Sequence, residues 1–332
     1  AFSHGIHDRG LIEPGAYADL VLFDPETVSD RATTEEPRAR AEGIEGVWIN
    51  GHLIYRNGRE IRHRYGKVLR RQPISRGEPM PVIFNRAQIE EALLQVDVTR
   101  AIEEGFVAYS QGKVVVPPVG ELVFEDPPGD VHIKYGYIKR DDYFVIKVAS
   151  GLYGDVDPGV PPYDGLMLVF NQKNVQLECI LHDECYLTNV RTAAAGAVVA
   201  KHLAPSSVKR IGVFGAGVQG RMQVEALLPI VDCRDVVVWG TGHEELEAYR
   251  ETMSNLGLSI QTTLTADEIA DTCNLIVTCT PSHKPLLRAE QIKEGTHITA
   301  MGSDTPEKNE LDPAILGKAD LVVADSIEQC LV

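Results

Sequence analysis

One stretch restricts the architecture of this chain more than any other: residues 208 to 223, Val-Lys-Arg-Ile-Gly-Val-Phe-Gly-Ala-Gly-Val-Gln-Gly-Arg-Met-Gln. Ile211 to Phe214 is a short apolar run of the kind a buried strand uses. Gly215, Gly217 and Gly220 follow as G-x-G-x-x-G, and Arg221 to Leu228 has a helical pattern. In such a strand–turn–helix unit the first glycine permits a tight turn. The second lets backbone approach a pyrophosphate, and the third lets the helix close on the strand. The helix N-terminus then offers unpaired N–H groups and the positive end of its dipole to phosphates. Gly215, Gly217, Val218, Gln219 and Gly220 are therefore candidate contacts for a dinucleotide. The alternative is a glycine-rich βα turn with no ligand.

The sequence after this loop alternates regularly. Val236–Trp239, Leu258–Thr262, Leu275–Thr280, His297–Met301 and Leu321–Ala324 read as further strands, and Glu244–Ser254 as a helix. This predicts an α/β fold with a doubly wound parallel sheet of six strands. A carboxylate at the end of the second strand binds the ribose 2′-OH of NAD in such folds. Here that strand ends Trp239-Gly240-Thr241-Gly242-His243, with Glu244 and Glu245 beyond and no arginine for a 2′-phosphate. NAD and NADP both stay open, with a slight preference for NADP. Thr241, Thr280 and Ser282 fall at strand ends, where loops meet cofactor, and Thr192 joins them as a candidate contact. Asp304, in Gly302-Ser303-Asp304 after the fifth strand, falls beside the expected nicotinamide; a capping aspartate is its plain reading.

Residues 82 to 205 read differently. Asn85 is a plausible N-cap for a helix carrying Ile89, Leu93 and Leu94, and Val98–Gln111 is a second helix that Gly112 ends. Leu122–Phe124, Val131–Tyr137, Tyr143–Ala149, Leu166–Asn171 and Leu177–His182 follow as strands. Turns such as Pro127-Pro128-Gly129, Asp141-Asp142 and Asp157-Pro158-Gly159 separate them, predicting an antiparallel sheet. An alanine-rich helix fits Thr188–Leu203. Lys147 lies in an apolar strand and must reach an anion or water. Arg191 falls in the first turn of the alanine-rich helix, where a cation opposes the dipole and a bound carboxylate would explain it. Lys134 and His132 lie in Val131–Tyr137 and are further substrate candidates. Each cation also has an ordinary structural reading.

The opening residues read as strands and turns, with hairpin signals at Asn50-Gly51 and Asn57-Gly58. Asp8-Arg9-Gly10, Pro14-Gly15, Ala18-Asp19-Leu20-Val21, Phe23 to Val28, Asp30 to Thr33 and Gly43-Ile44 through Asn50-Gly51 resemble the C-terminal tail of amidohydrolases of the N-acyl-amino-acid deacylase kind. The resemblance implies a piece of β-sandwich over residues 1–72, without the metal-bearing barrel. His4 and His7 fall in a loop and are not read as ligands. Arg62, Arg64, Lys67, Arg70, Arg71 and Arg76 with four nearby breakers, Pro73, Gly77, Pro79 and Pro81, mark a linker centred on 73–81. Met80 followed by Pro81-Val82-Ile83-Phe84 has the look of a second protein's start, which leaves a gene fusion and a read-through assembly of neighbouring genes as the two readings.

The 32 basic and 48 acidic residues leave a net charge of −16, which argues against nucleic acid or an anionic membrane surface as partner. No apolar run reaches membrane-spanning length. Cys179, Cys185, Cys233, Cys273, Cys279 and Cys330 include no C-x-x-C and fit no zinc spacing. They read as free thiols of a cytoplasmic protein, and no metal site is expected.

Arg191-Thr-Ala-Ala-Ala-Gly and Gly215-Ala-Gly-Val-Gln resemble the ornithine cyclodeaminase and μ-crystallin family. Further matches are Gln111-Gly112-Lys113 with Pro117-Pro118, Val145-Ile146-Lys147, Asp183 with Leu187-Thr188, Thr280-Pro-Ser, Gly295-Thr-His-Ile, Gly302-Ser-Asp304, Glu310-Leu-Asp-Pro and Ala324-Asp-Ser-Ile-Glu-Gln. The resemblance covers residues 80 to 332. It implies a substrate and dimerisation domain at 82–205, a nucleotide domain at 206–326, and at 327–332 the start of a segment that returns to the substrate domain. It further implies a homodimer, an NAD or NADP cofactor, and hydride transfer at the α-carbon of a small amino acid or cyclic imine. Lys147 and Arg191 would hold the substrate carboxylate, and Asp304 would handle the amine and its protons. Cyclodeaminase, ketimine reductase and non-catalytic NADPH or ligand binding all occur within that resemblance. The chain departs from the family at two places: Gly120-Glu121 follow Pro118-Val119 where the family often has arginine, and His132 and Lys134 stand near the place of the acid that takes the distal amine, which weighs against ornithine.

Overall fold

The computed structural model describes residues 12–61, 63–67, 81–152, 161–303 and 305–330. The His4/His7 pair, most of the junction, the Asp157-Pro158-Gly159 turn and Asp304 lie outside them. The chain divides into two compact units, Ala1–Met80 and Pro81–Val332.

In the first unit, β1 (Leu20–Phe23), β2 (Ile44–Ile49), β3 (His52–Arg56) and β4 (Arg59–Glu60) form an antiparallel sheet in chain order. Asn50 and Gly51 have φ of 52° and 79°, and Asn57 and Gly58 have 46° and 82°. Two successive left-handed residues match the twist of the flanking strands, which is why Asn-Gly makes both turns.

The second unit holds two sheets. β5 (Val82–Asn85) leads into α1 (Arg86–Leu93) and α2 (Val98–Ser110). Asn85 caps α1 as expected, with Gln88 reaching back to its N–H. Then come β6 (Val114–Val115), β7 (Gly120–Glu125), β8 (Pro128–Ile138), β9 (Tyr143–Leu152), β10 (Tyr163–Asn171), β11 (Leu177–His182) and α3 (Tyr186–Leu203). The strands lie in the order β5-β11-β10-β9-β8-β6, with β7 beside β8. The sheet is mixed rather than antiparallel, because β5 joins β11 in parallel. Four residues pairing with a strand almost a hundred positions away leave no local signal of direction.

The other sheet comprises β12 (Ile211–Phe214), β13 (Asp235–Trp239), β14 (Ser259–Thr263), β15 (Leu275–Thr278) and β16 (His297–Ala300), all parallel, in the order β14-β13-β12-β15-β16. Four helices, α4 (Val218–Leu227), α5 (His243–Met253), α6 (Ala266–Thr272) and α7 (Ala314–Lys318), accompany it, and α8 (Ile327–Cys330) follows. Ile211, Val213, Phe214, Val236, Val237, Val238, Leu275, Ile276 and Val277 are buried. That is the mark of a parallel sheet covered on both faces. The winding direction reverses between β12 and β15, so the crevice for a ligand lies at the carboxyl ends of those strands.

Among the described residues this sheet has five strands, not six. Leu321 to Ala324 makes no ladder, and Leu321, Val322 and Val323 are 65, 56 and 60% exposed. An apolar run alone does not separate a covered strand from an uncovered segment. Among the described residues no helix is long and apolar enough to cross a membrane.

Candidate active site at the helix α3–glycine loop junction

The glycine loop is built as its spacing predicts. Gly215 has φ of 110°, and a Cβ there would lie 3.0 Å from the Cys279 carbonyl. A Cβ on Gly220 would overlap the Gly215 carbonyl. These two glycines are required by the protein's own backbone. Gly217, the N-cap of α4, is different: a Cβ there would meet no protein atom within 4 Å. It is open on the side where a pyrophosphate would approach the helix N-terminus, so the cradle fits a dinucleotide.

Helix α3 brings the substrate half to this loop. Ala193, Ala194, Gly196, Ala197 and Ala200 are buried on it, and such small side chains let helices approach closely. A Cβ on Gly196 would overlap the Gln223 side chain. Gln223 donates to the Thr192 carbonyl (3.1 Å), and Gln219 Nε2 donates to Asn189 Oδ1 (3.0 Å) and to the Asn189 carbonyl (3.2 Å). Two glutamines of α4 thus fix the register of α3 against the glycine loop. The side chains of Gln219 and Thr192, both cofactor candidates, bond to α3; the Thr192 hydroxyl donates to the Thr188 carbonyl at 2.7 Å.

Entry of the chain into α3 is strained. Glu184 and Cys185 have φ of 52° and 63°, unusual for non-glycine residues. The buried Asp183 carboxylate accepts from Leu187 N–H at 2.8 Å, and burial raises its pKa. The helix therefore starts at Tyr186, two residues before the expected Thr188. Arg191 consequently stands in the second turn rather than the first, and the dipole argument for an anion loses force. Strain held by tertiary contacts of this kind is characteristic of functional sites.

Three cations converge nonetheless. Lys134 and Lys147 are directly opposed across β8 and β9. The half-buried Lys147 ammonium donates to Thr188 Oγ1 at 3.2 Å, one turn before Arg191. Its pKa is pushed down to about 8 by burial first, then by the Arg191 and Lys134 charges. Like charges facing one another across strands are unfavourable, and an anionic ligand relieves that cost. His132, two residues from Lys134 on the same strand, is held by Asp130 (Nε2 to Oδ2, 2.8 Å). Glu121, paired with His132 across β7 and β8, stands 3.9 Å away, so three side chains that could ligate a metal ion gather there.

At the carboxyl edge of the parallel sheet, Thr280 N–H and Oγ1 both donate to Glu310. The Ser282 hydroxyl donates to the Lys284 carbonyl at 2.7 Å. The exposed Thr241 N–H donates to Glu245 Oε1, and Gly242 N–H reaches the same oxygen at 3.2 Å. Glu245 and Glu310 were not among the sequence candidates. Glu245 is in the first turn of α5 and folds back on its own N-terminus, a habit legible from a glutamate three residues into a helix. Glu310 carries no comparable local signal.

A doubly wound sheet with an open glycine cradle, joined through one small-residue helix to a cation-bearing mixed sheet, defines the class as that of two-part dinucleotide-fold proteins. Residues 80–330 match the ornithine cyclodeaminase/mu-crystallin family, and the chain belongs to that family. It is 36% identical over 254 residues to an uncharacterised cyclodeaminase of Sinorhizobium fredii, covering 76% of this chain and 77% of that protein. An archaeal alanine dehydrogenase dimer with bound NAD has a TM-score of 0.68 at 32% identity, covering 75% of this chain and 76% of that one. The Δ1-pyrroline-2-carboxylate reductase of Thermococcus litoralis, solved with NADH and L-proline, has a TM-score of 0.67 at 25% identity, covering 72% and 74%.

Proposed function

We propose that this chain is an NAD(P)-dependent oxidoreductase acting at the α-carbon of a small amino acid or cyclic imino acid. The observation that carries the reading is the convergence of Lys134, Lys147 and Arg191 beside a helix bonded to the glycine loop. Gly217 and the first N–H groups of α4 would hold the pyrophosphate, in a turn that Gly215 and Gly220 make possible. The bound nicotinamide supplies or accepts the hydride. Arg191 and Lys147 grip the substrate carboxylate and orient its α-carbon; guanidinium suits a carboxylate through two parallel hydrogen bonds. Asp304 exchanges a proton at the substrate's α-nitrogen. Similarity to the alanine dehydrogenase and the pyrroline-carboxylate reductase supports the cofactor and the substrate class.

Reduction of an imine is favoured over cyclisation of a diamino acid. Lys134, opposite Lys147, adds positive charge where a distal ammonium would have to lie. Glu245 favours NAD, against the slight NADP preference of the sequence, because its carboxylate occupies the loop N–H groups a 2′-phosphate would seek. The exposed Leu122, Val123 and Phe124 of β7 support a homodimer through the substrate half. The four-stranded sheet of the first unit supports descent of residues 1–72 from an amidohydrolase tail. Incubation of NADH or NADPH with a cyclic imino acid, and of the oxidised cofactors with small amino acids, tests the function: loss of reduced-nicotinamide absorbance in step with imine is expected, and cofactor unchanged in every mixture would refute it.

A further inference from the structure

Glu310 is a fully buried carboxylate that the binding scheme above leaves without a role. Its two oxygens are used symmetrically. Oε1 accepts from Thr280 N–H (2.6 Å) and Thr280 Oγ1 (2.7 Å), while Oε2 accepts from Thr278 Oγ1 (2.8 Å) and Gly302 N–H (3.0 Å). Each oxygen therefore takes one backbone N–H and one hydroxyl. The first N–H belongs to the loop after β15 and the second to the loop after β16. Both loops lie at the carboxyl edge, and the first packs against Gly215. Gly302 closes the join, for a Cβ there would fall 2.5 Å from Thr280 N and 2.6 Å from Glu310 Oε2.

We infer that Glu310 is a positioning residue: its carboxylate latches the loop after β15 to the loop after β16 and so sets the cofactor-facing wall at the carboxyl edge of the sheet. The inference rests on the proposed function for the identity of the ligand facing that wall. Glutamine cannot replace the latch. It has one accepting oxygen, so in either orientation its NH2 confronts a backbone N–H, and a backbone donor cannot turn away as a hydroxyl can. One loop must detach.

The test is NADH affinity of the full chain, read by nicotinamide fluorescence, with the folded fraction measured by circular dichroism. In Glu310→Gln the Kd for NADH should rise about tenfold, the scale of one lost buried backbone hydrogen bond. kcat should fall with it, while KM for the imino acid, set by Lys147 and Arg191 on the other half, stays within about twofold. Gly302→Ala leaves the carboxylate intact but wedges the same loops apart, and should reproduce the loss of NADH affinity. Thr278→Val deletes one hydroxyl and spares both N–H bonds, and should cost only about threefold. A purely structural role lowers the melting temperature yet leaves folded protein with parental NADH affinity; that result for Glu310→Gln or Gly302→Ala overturns the inference. A parent chain that binds neither NADH nor NADPH overturns the proposed function itself.

Discussion

Within the second unit, the nucleotide half and the substrate half obey different rules. Strands β12, β13 and β15 are buried nearly throughout, and hydrophobic clusters cover both faces of their sheet. In the substrate half, β8 and β9 are only half-buried and β7 is largely exposed. A sheet covered on both faces specifies itself by apolar burial. A half-covered sheet can place lysines side by side on one face, as Lys134 and Lys147 are placed. The first half supplies rigidity and a cradle, and the second supplies charge.

That contrast can be broken at its strongest point first. Ile276→Ala empties a fully buried position between two faces and should lower unfolding free energy by about 3 kcal/mol. Leu122→Ala, 56% exposed on β7, should cost about 0.5 kcal/mol in dilute monomer. Denaturant titration decides, and equal losses would contradict the contrast. Next, Arg191→Leu should lower kcat/KM about a hundredfold, the scale of a lost charge-assisted carboxylate contact, and leave NADH affinity unchanged. A parallel fall in NADH binding would show that Arg191 serves α3 packing rather than substrate.

Lys147 sharpens the comparison through pH. Burial, Arg191 and Lys134 depress its pKa to about 8, against the opposing pull of Cys185 and Asp183. The ammonium is the carboxylate-binding form, so substrate KM should be flat below pH 8 and climb towards tenfold per pH unit above it. Lys147→Arg should remove that rise, since guanidinium stays charged. The smallest effect is expected at Glu245. Glu245→Gln removes the charge that faces a 2′-phosphate, and should shift the NADP-to-NAD ratio of kcat/KM about fivefold towards NADP.

The nucleotide half was legible because its signals are local. Four apolar residues, three spaced glycines and a helix fix a strand–turn–helix, and repetition fixes the sheet. The exception, Leu321 to Ala324, has the right residues and no covering. In the substrate half the elements were legible, as at Asn85 and Gly112, but the pairing was not. The parallel β5–β11 pair joins distant strands, and the start of α3 depends on Asp183 and two left-handed residues. Lys147 stood out because a lysine in an apolar strand needs a reason. Glu310 did not, because its meaning comes from three loops meeting at one carboxylate.

The most direct test of the central claim is cofactor stoichiometry with a cyclic imino acid such as Δ1-pyrroline-2-carboxylate. The account predicts one NADH oxidised for each imine reduced, and loss of that turnover in Asp304→Ala with NADH affinity retained. Cyclic amino acid formed from a diamino acid with no net change in NADH, or NADH bound without turnover of any imine, would contradict it.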